Sequence, residues 1–444
     1  MTIALSQARG RGSTVPAADT KPRARASRAY VAASALLAPL VVPAGPGQTA
    51  LIDAVNLFAI AAFALFVVLP GRQGLRVPLF APLAVVMVGS LIASGFAPSM
   101  SLAALALAQD VYLFCWFVVL VNLIRTREDL RLVRQAWMWA AVLVSLGAIG
   151  QYLLHNSVGS LLGSRGLRSR STMYNPNMLA DYLMMSVFVV MSLAADLKRV
   201  LFVSALGIIG LALLATKSNG GMIAFLAGLV VWGVFMAATG PTDRRGSYLA
   251  GAVLLVSLVG IGVWIGSEYG LGGRVVAALS EHTFAGRMEH STASRAHIWD
   301  QLQVAYAHSP LGIGPGNSSS LTMGIADRER PDSYRSKEAH SDYLAYAIER
   351  GPLGLIGLLA FMIGLCGQVA VYWRGARRAR GGGTSRRARL WAAAMLAVIA
   401  SSAVHSLVIE KFHFRHYWVF FALVCASAIV STARASHPPA TEAA

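Results

Sequence analysis

Residues able to act on an anionic substrate gather in a few short stretches of this 444-residue chain. The stretch 155–177 carries Arg165, Arg168 and Arg170 without an acid, then Asn175-Pro176-Asn177. Guanidinium forks match phosphate and pyrophosphate oxygens, to which they donate parallel hydrogen bonds. Contact with anionic lipid headgroups is the ordinary alternative. Lys217, in Thr216-Lys217-Ser218-Asn219-Gly220-Gly221, also has no acid near it in sequence. It reads either as a lysine snorkelling to a membrane interface or as a second cation for the same ligand. Arg287 and Arg295 lie further on, beside Glu289 and Asp300, so surface pairing competes with ligand binding there.

His340 begins Ala339-His340-Ser341-Asp342-Tyr343-Leu344, at the expected start of a helix. A helix N-terminus disfavours imidazolium, so this ring stays neutral, the form a general base needs. A lone histidine is nevertheless more often structural. His405, His413 and Arg415 fall near the same depth at the far end of the chain. The histidines at 340, 405, 413 and 416 show no recurrent ligand spacing, and no acid-rich pair stands ready to hold a divalent ion. The expectation is a site without metal or cofactor.

The elements that position these residues are membrane spans. Hydrophobic residues make up 56% of the chain and charged residues 13%, about half the share in ordinary soluble domains. Apolar runs of about 20 residues, the length a bilayer core demands, recur along almost the whole sequence. The pattern predicts about twelve transmembrane helices at 30–44, 49–70, 79–96, 102–124, 135–154, 178–195, 200–216, 221–238, 247–266, 353–373, 390–409 and 417–432. The fold class is therefore all-α and integral to the membrane. A basic tail over 1–29 precedes an uncleaved first span. Spans one to nine fill 30–266, spans ten to twelve fill 353–432, and 433–444 is a second tail.

The net charge of +18 concentrates in the tails and alternate connections, as the positive-inside rule requires. The run Arg374, Arg377, Arg378, Arg380, Arg386, Arg387 and Arg389 contains no acid and reads as a cytoplasmic anchor, not a nucleic-acid surface. Both termini are then cytoplasmic. The arginines of 155–177, Lys217 and the long connection 267–352 all fall on the other face. That connection is too long for a simple link. Residues 294–307 predict an amphipathic helix capped by Ser294, with Ile298, Leu302 and Ala305 on an apolar face lying on the membrane surface. The Gly/Pro-rich run 310–317 breaks it. A second helix over 337–350 follows before Gly351-Pro352 leads back into the membrane. Cys115, Cys366 and Cys425 all lie within apolar runs, so a disulfide framework is not expected.

In order along the chain, several short motifs resemble the O-antigen ligase and polymerase superfamily of membrane glycosyltransferases. They are Asn175-Pro176-Asn177, Lys217-Ser218-Asn219-Gly220-Gly221, Ser294-Arg295-Ala296-His297-Ile298-Trp299, and Ser309 to Asn317. His340 to Leu344 follows, with Glu349, Gly351 and Gly354, then His405-Ser406-Leu407-Val408. The resemblance spans roughly 170–410 and implies a GT-C-like fold with a large helical periplasmic loop in the bacterial inner membrane. It implies a donor glycan on undecaprenyl pyrophosphate and, in ligases, a lipid A–core acceptor. It puts His340 at the family's essential histidine and Arg295 at an essential arginine. Asn219 stands where the family often has arginine, which leaves Lys217 as a candidate substitute.

The expected reaction is metal-independent, inverting glycan transfer with His340 as base. The substrate-binding set is Arg295, Lys217, Arg165, Arg168, Arg170, Asn177, Arg287 and His405. Polymerases of this type often place glycine eleven residues after an outside arginine. Here Arg165 leads to Pro176, Arg168 to Leu179, Arg287 to Ile298 and Arg295 to Tyr306, which favours ligation over chain extension. The non-enzyme alternative, a transporter, would place its polar groups at the bilayer midplane between repeats.

Overall fold

The computed structural model describes residues 20–41, 50–71, 74–159, 168–173, 175–241, 298–321, 326–327, 330–334, 339–379 and 385–435, with isolated positions 246 and 251. The chain is a helical bundle: α1 Thr20–Leu37, α2 Leu51–Phe63 continued by a π-helical turn Ala64–Val68, α3 Phe80–Ser94, α4 Met100–Leu123 and α5 Arg127–Gly159. Then come α6 Pro176–Ser192, α7 Arg199–Ala215 and α8 Asn219–Thr239. After α9, over 298–308, the bundle closes with α10 Asp342–Arg378, α11 Arg386–His405 and α12 Arg415–Ala435.

Among the described residues, α4, α5, α8, α10, α11 and α12 are long and apolar enough to cross a membrane, and α2, α3, α6 and α7 are shorter apolar helices. The second to eighth and the last three expected spans each overlap one of these apolar helices, whereas the first, 30–44, is overlapped only over 30–37, by α1, which is not among them. The ninth, 247–266, lies outside the described residues apart from position 251, as does all of 267–297. α1 starts at Thr20 instead of near residue 30, and Arg28 reaches α5 to donate to Asp129 at 2.7 Å.

Helices α6, α11 and α12 form the centre, with almost every residue of α6 buried. Small residues allow the closest approaches, as expected where lipid removes any hydrophobic gain from helix association. Gly89 of α3 meets the backbone of Arg350 and Gly354 on α10, and Gly357 meets Val86. On the other side, Gly228 of α8 lies against Phe188 of α6 and Ser401 of α11. The aromatic residues Phe361, Phe412, Trp418 and Phe421 fill the space between α10 and α12.

Loop ends fall into two groups of opposite character. One end gathers Arg76, Arg125, Lys198, Arg377, Arg378 and Arg387 around the starts of α5, α7 and α11. The other gathers the starts of α6, α8, α10 and α12, the first three opened by a polar cap that the local sequence supplies. Asn175 caps α6 by accepting from Met178 N at 2.8 Å, with Pro176 in the first turn, where its missing donor costs nothing. Ser218 and Ser341 cap α8 and α10 in the same way.

The 298–352 region departs from expectation in two respects. The apolar face of α9 does not lie on a membrane surface: Ile298 and Leu302 are 1% and 0% exposed, packed with Ile313, Ala339, Ala345 and Ile348. Burial against the protein wins because α10 presents a matching apolar patch. A short antiparallel hairpin, β1 Ala326–Asp327 and β2 Arg330–Tyr334, also lies between the Gly/Pro run and α10, where the all-α expectation held no strand.

The Gly/Pro run forms the predicted turn and docks on the kink of α10. Gly312, Gly314, Gly316 and Gly351 all take positive φ. Ile313 N donates to Ile348 O at 2.9 Å, while Glu349 accepts from the amides of Gly316 and Ser318 at 2.8 and 3.1 Å. Asn317 fastens the same turn to Ser99 at the start of α4. At Gly351 (φ 67°) a β-carbon would collide with the Leu311 backbone. Gly351→Ala should therefore cost at least the roughly 1–3 kcal/mol of a strained backbone position and lower the thermal midpoint in detergent. Gly367→Ala, on an open face of the same helix, should leave the midpoint unchanged.

Candidate functional site

The capped end of the bundle brings several sequence-predicted residues together. Asn177, in the first turn of α6, accepts from Arg168 Nη2 at 2.6 Å and from Ser218 Oγ at 2.9 Å. Arg168 Nε donates to Thr216 O at 2.9 Å, so one guanidinium ties the 168–173 segment to the α7–α8 junction. Lys217 occupies the left-handed region (φ 51°) at that junction, its Nζ 5.4 Å from the centre of the Tyr152 ring. A cation over a ring face is held without losing its charge. Arg170 is exposed beside it, its amide donating to Gln151 Oε1 at 3.1 Å. Arg165, Arg287 and Arg295 lie outside the described residues.

His340 also takes a positive φ, 53°, directly before the cap of α10. A non-glycine residue rarely adopts this region unless its surroundings impose it. Here the next two residues are locked. Ser341 Oγ donates to Ser406 O at 3.1 Å. The Asp342 carboxylate accepts from Ser406 Oγ at 2.7 Å and from the amides of Lys411 and Phe412 at 2.8 and 3.2 Å. The Asp342 amide in turn donates to Ser406 O at 3.0 Å. The α11–α12 connection therefore fixes the backbone that carries His340.

That connection also feeds a buried polar cluster around Asp181 of α6, which is 0% exposed. His405 Nδ1 lies 2.6 Å from Oδ1 and His416 Nε2 3.1 Å from Oδ2. Lys411 Nζ donates to Oδ1 at 3.2 Å and to Tyr417 Oη at 2.5 Å, and Tyr417 Oη donates to Oδ1 at 2.9 Å. Burial pushes the Lys411 ammonium below the ordinary lysine value, while Asp181 and Asp342 pull it back. His405 was read as a substrate contact, but it is 1% exposed and spends one ring nitrogen on Asp181. The other edge of its ring faces Gly220 of α8, where a β-carbon would come 3.5 Å from Nε2. His405 thus bridges the Asp181 cluster and the Lys217–Gly221 junction.

Two more ion pairs complete the pattern. Asp53 of α2 is bound by Arg415 of α12, with Nε to Oδ1 at 2.6 Å, and receives Tyr112 Oη at 2.7 Å. Asp110 of α4 pairs with Arg350 of α10, whose guanidinium lies 4.7 Å over the Tyr346 ring. His413 packs edge-on against Phe414, and burial pushes its imidazole down to about 4.

Sequence reading missed Asp181, Asp342, Lys411 and Tyr417. Asp181 carried a usable signal, because it is the lone charged residue in the apolar run 178–195 and such residues are functional candidates by default. Asp53 and Asp110 stand alone in their runs in the same way. Lys411, amid 410–416, looked like any loop cation.

Removing one member of a buried ion pair typically costs about 3–5 kcal/mol, because the other charge is stranded. Lys411→Met should therefore lower the thermal midpoint strongly. Adding Asp181→Asn to it should recover part of the loss, measured as a double-mutant cycle in detergent. Additive losses would mean the two groups are not coupled.

A comparison with curated proteins gives no match. A family model described as O-antigen ligase matches residues 203–359, about a third of the chain, from α7 to the part of α10 beyond the kink. The match supports an enzyme of the membrane glycosyltransferase kind. Over a segment that holds Lys217, the 310–317 turn and His340, the chain thus matches the O-antigen ligase family, the superfamily that its sequence motifs resemble.

Proposed function

We propose that this protein transfers a glycan from undecaprenyl pyrophosphate to a hydroxyl of lipid A–core on the periplasmic face of a bacterial inner membrane. The observation that carries the reading is the convergence, at the less basic end of the bundle, of two sets of groups. One is the Arg168–Asn177–Ser218 junction with Lys217; the other is the locked start of α10 that bears His340. The crowding of arginine at the opposite end supports a cytoplasmic assignment for that end and for both termini. Twelve spans, counting 247–266 as the ninth, satisfy this arrangement.

In this reading His340 accepts the proton of the acceptor hydroxyl as its oxygen attacks the anomeric carbon. The bond from that carbon to the pyrophosphate oxygen breaks, with inversion, and the electron pair leaves on undecaprenyl pyrophosphate. No metal is required if fixed cations bear the developing charge. Lys217, Arg168 and Arg170 supply it from one side. Arg165, Arg287 and Arg295 belong to the same donor-binding set. Asn177 holds Arg168 in register, and His405 acts through Asp181 as a positioning residue instead of touching the donor. The strained backbone at His340 fits a base held in place by its neighbours and not by its own preference.

His340→Ala should abolish glycan transfer while membrane levels of the protein stay normal. Lys217→Ala should lower the rate by about 10²–10³, the usual cost of losing a preorganised anion stabiliser. Transfer assayed in membranes at near-normal rate in the His340 variant would sink the mechanism.

A further inference from the structure

The opposite, basic end of the bundle holds a concavity that the proposed glycan transfer does not use. It is a cavity of about 400 Å³ between the starts of α5 and α11, the α6–α7 turn and the ends of α10 and α12. Arg127, Arg131, Arg134 and Arg387 line it, against the acids Glu128 and Asp196. Asp196, with its side chain 4% exposed, already serves two of the arginines: Arg387 Nε at 2.9 Å and Arg131 Nε at 3.9 Å. Arg134 lies deeper. Its Nη1 donates to Ser192 Oγ at 3.2 Å and its Nε to Leu130 O at 3.2 Å, both neutral acceptors. Its guanidinium rests 4.8 Å over Trp391, whose indole is pinned by Ser427 at 2.8 Å.

We infer that this cavity binds a phosphate ester, and specifically the headgroup of an anionic membrane lipid. Three observations converge on that ligand. The lining carries more positive than negative charge. The deepest guanidinium is stacked and held by neutral groups, which orients its fork without neutralising it. The volume suits a glycerophosphate-sized group, and the cavity lies at helix ends, where basic pockets between spans take up lipid headgroups. A diffuse basic surface would attract the same lipids without a pocket, so position must be separated from charge.

Lipid-depleted protein in a neutral detergent is titrated with short-chain phosphatidylglycerol and followed by native mass spectrometry. Phosphatidylcholine and inorganic phosphate serve as separate arms. Arg134→Gln and Arg387→Gln should each weaken phosphatidylglycerol binding about 10-fold or more, the loss of one charge-assisted hydrogen bond. Arg374→Gln removes an equal charge from the same end without lining the cavity, and should not weaken it. Arg387 is largely exposed, so its variant folds even if the Arg134 variant does not. Competition by inorganic phosphate with the same arginine dependence keeps the pocket and reassigns the source to free phosphate. Equal binding of phosphatidylcholine, or equal weakening by Arg374→Gln, overturns the proposal.

Discussion

A carboxylate inside an apolar bundle must find a cation, and this protein meets that demand three times in the same way. Asp53, Asp110 and Asp181 are each the single charged residue of their own apolar run. Each is answered from late in the chain: Asp53 by Arg415, Asp110 by Arg350, and Asp181 by Lys411 with His405 and His416. An unpaired charge at such depth is costly, so α10, the α11–α12 connection and the start of α12 can seat in one register only. The pairs thereby staple the last three helices onto α2, α4 and α6.

The consequence reaches His340. Its own backbone is strained, and a strained residue persists only where neighbours over-determine it. Asp342 supplies the restraint two residues later, through three donors from 406–412, and the same loop delivers Lys411 to Asp181. Stability of the buried cluster and placement of the candidate base are therefore one physical problem. At the adjoining junction, Arg168 and Asn177 perform the same service for the α7–α8 turn that carries Lys217.

Much of this was legible in the sequence. Apolar run length located the helices, because bilayer thickness leaves few other choices. The Gly/Pro run 310–317 announced where the chain turns, while the caps at Asn175, Ser218 and Ser341 emerged only with the structure. What could not be read was pairing across the fold. Lys411 has no local feature that separates it from a loop cation, and its partner lies 230 residues away. The docking of α9 was misread for a related reason: an apolar helical face looks the same whether lipid or α10 covers it. Arg165, Arg287 and Arg295 keep their place in the donor-binding proposal on sequence grounds.

The central claim, that the capped end of the bundle moves a glycan from a lipid pyrophosphate onto lipid A–core, is tested most directly by reconstitution. Purified protein in liposomes receives undecaprenyl-pyrophosphate glycan with either lipid A–core or a second equivalent of donor as acceptor. Glycan appearing on lipid A–core, with no growth of the donor chain, is the predicted result. Chain extension without transfer to the core, or no transfer to either acceptor, would contradict it.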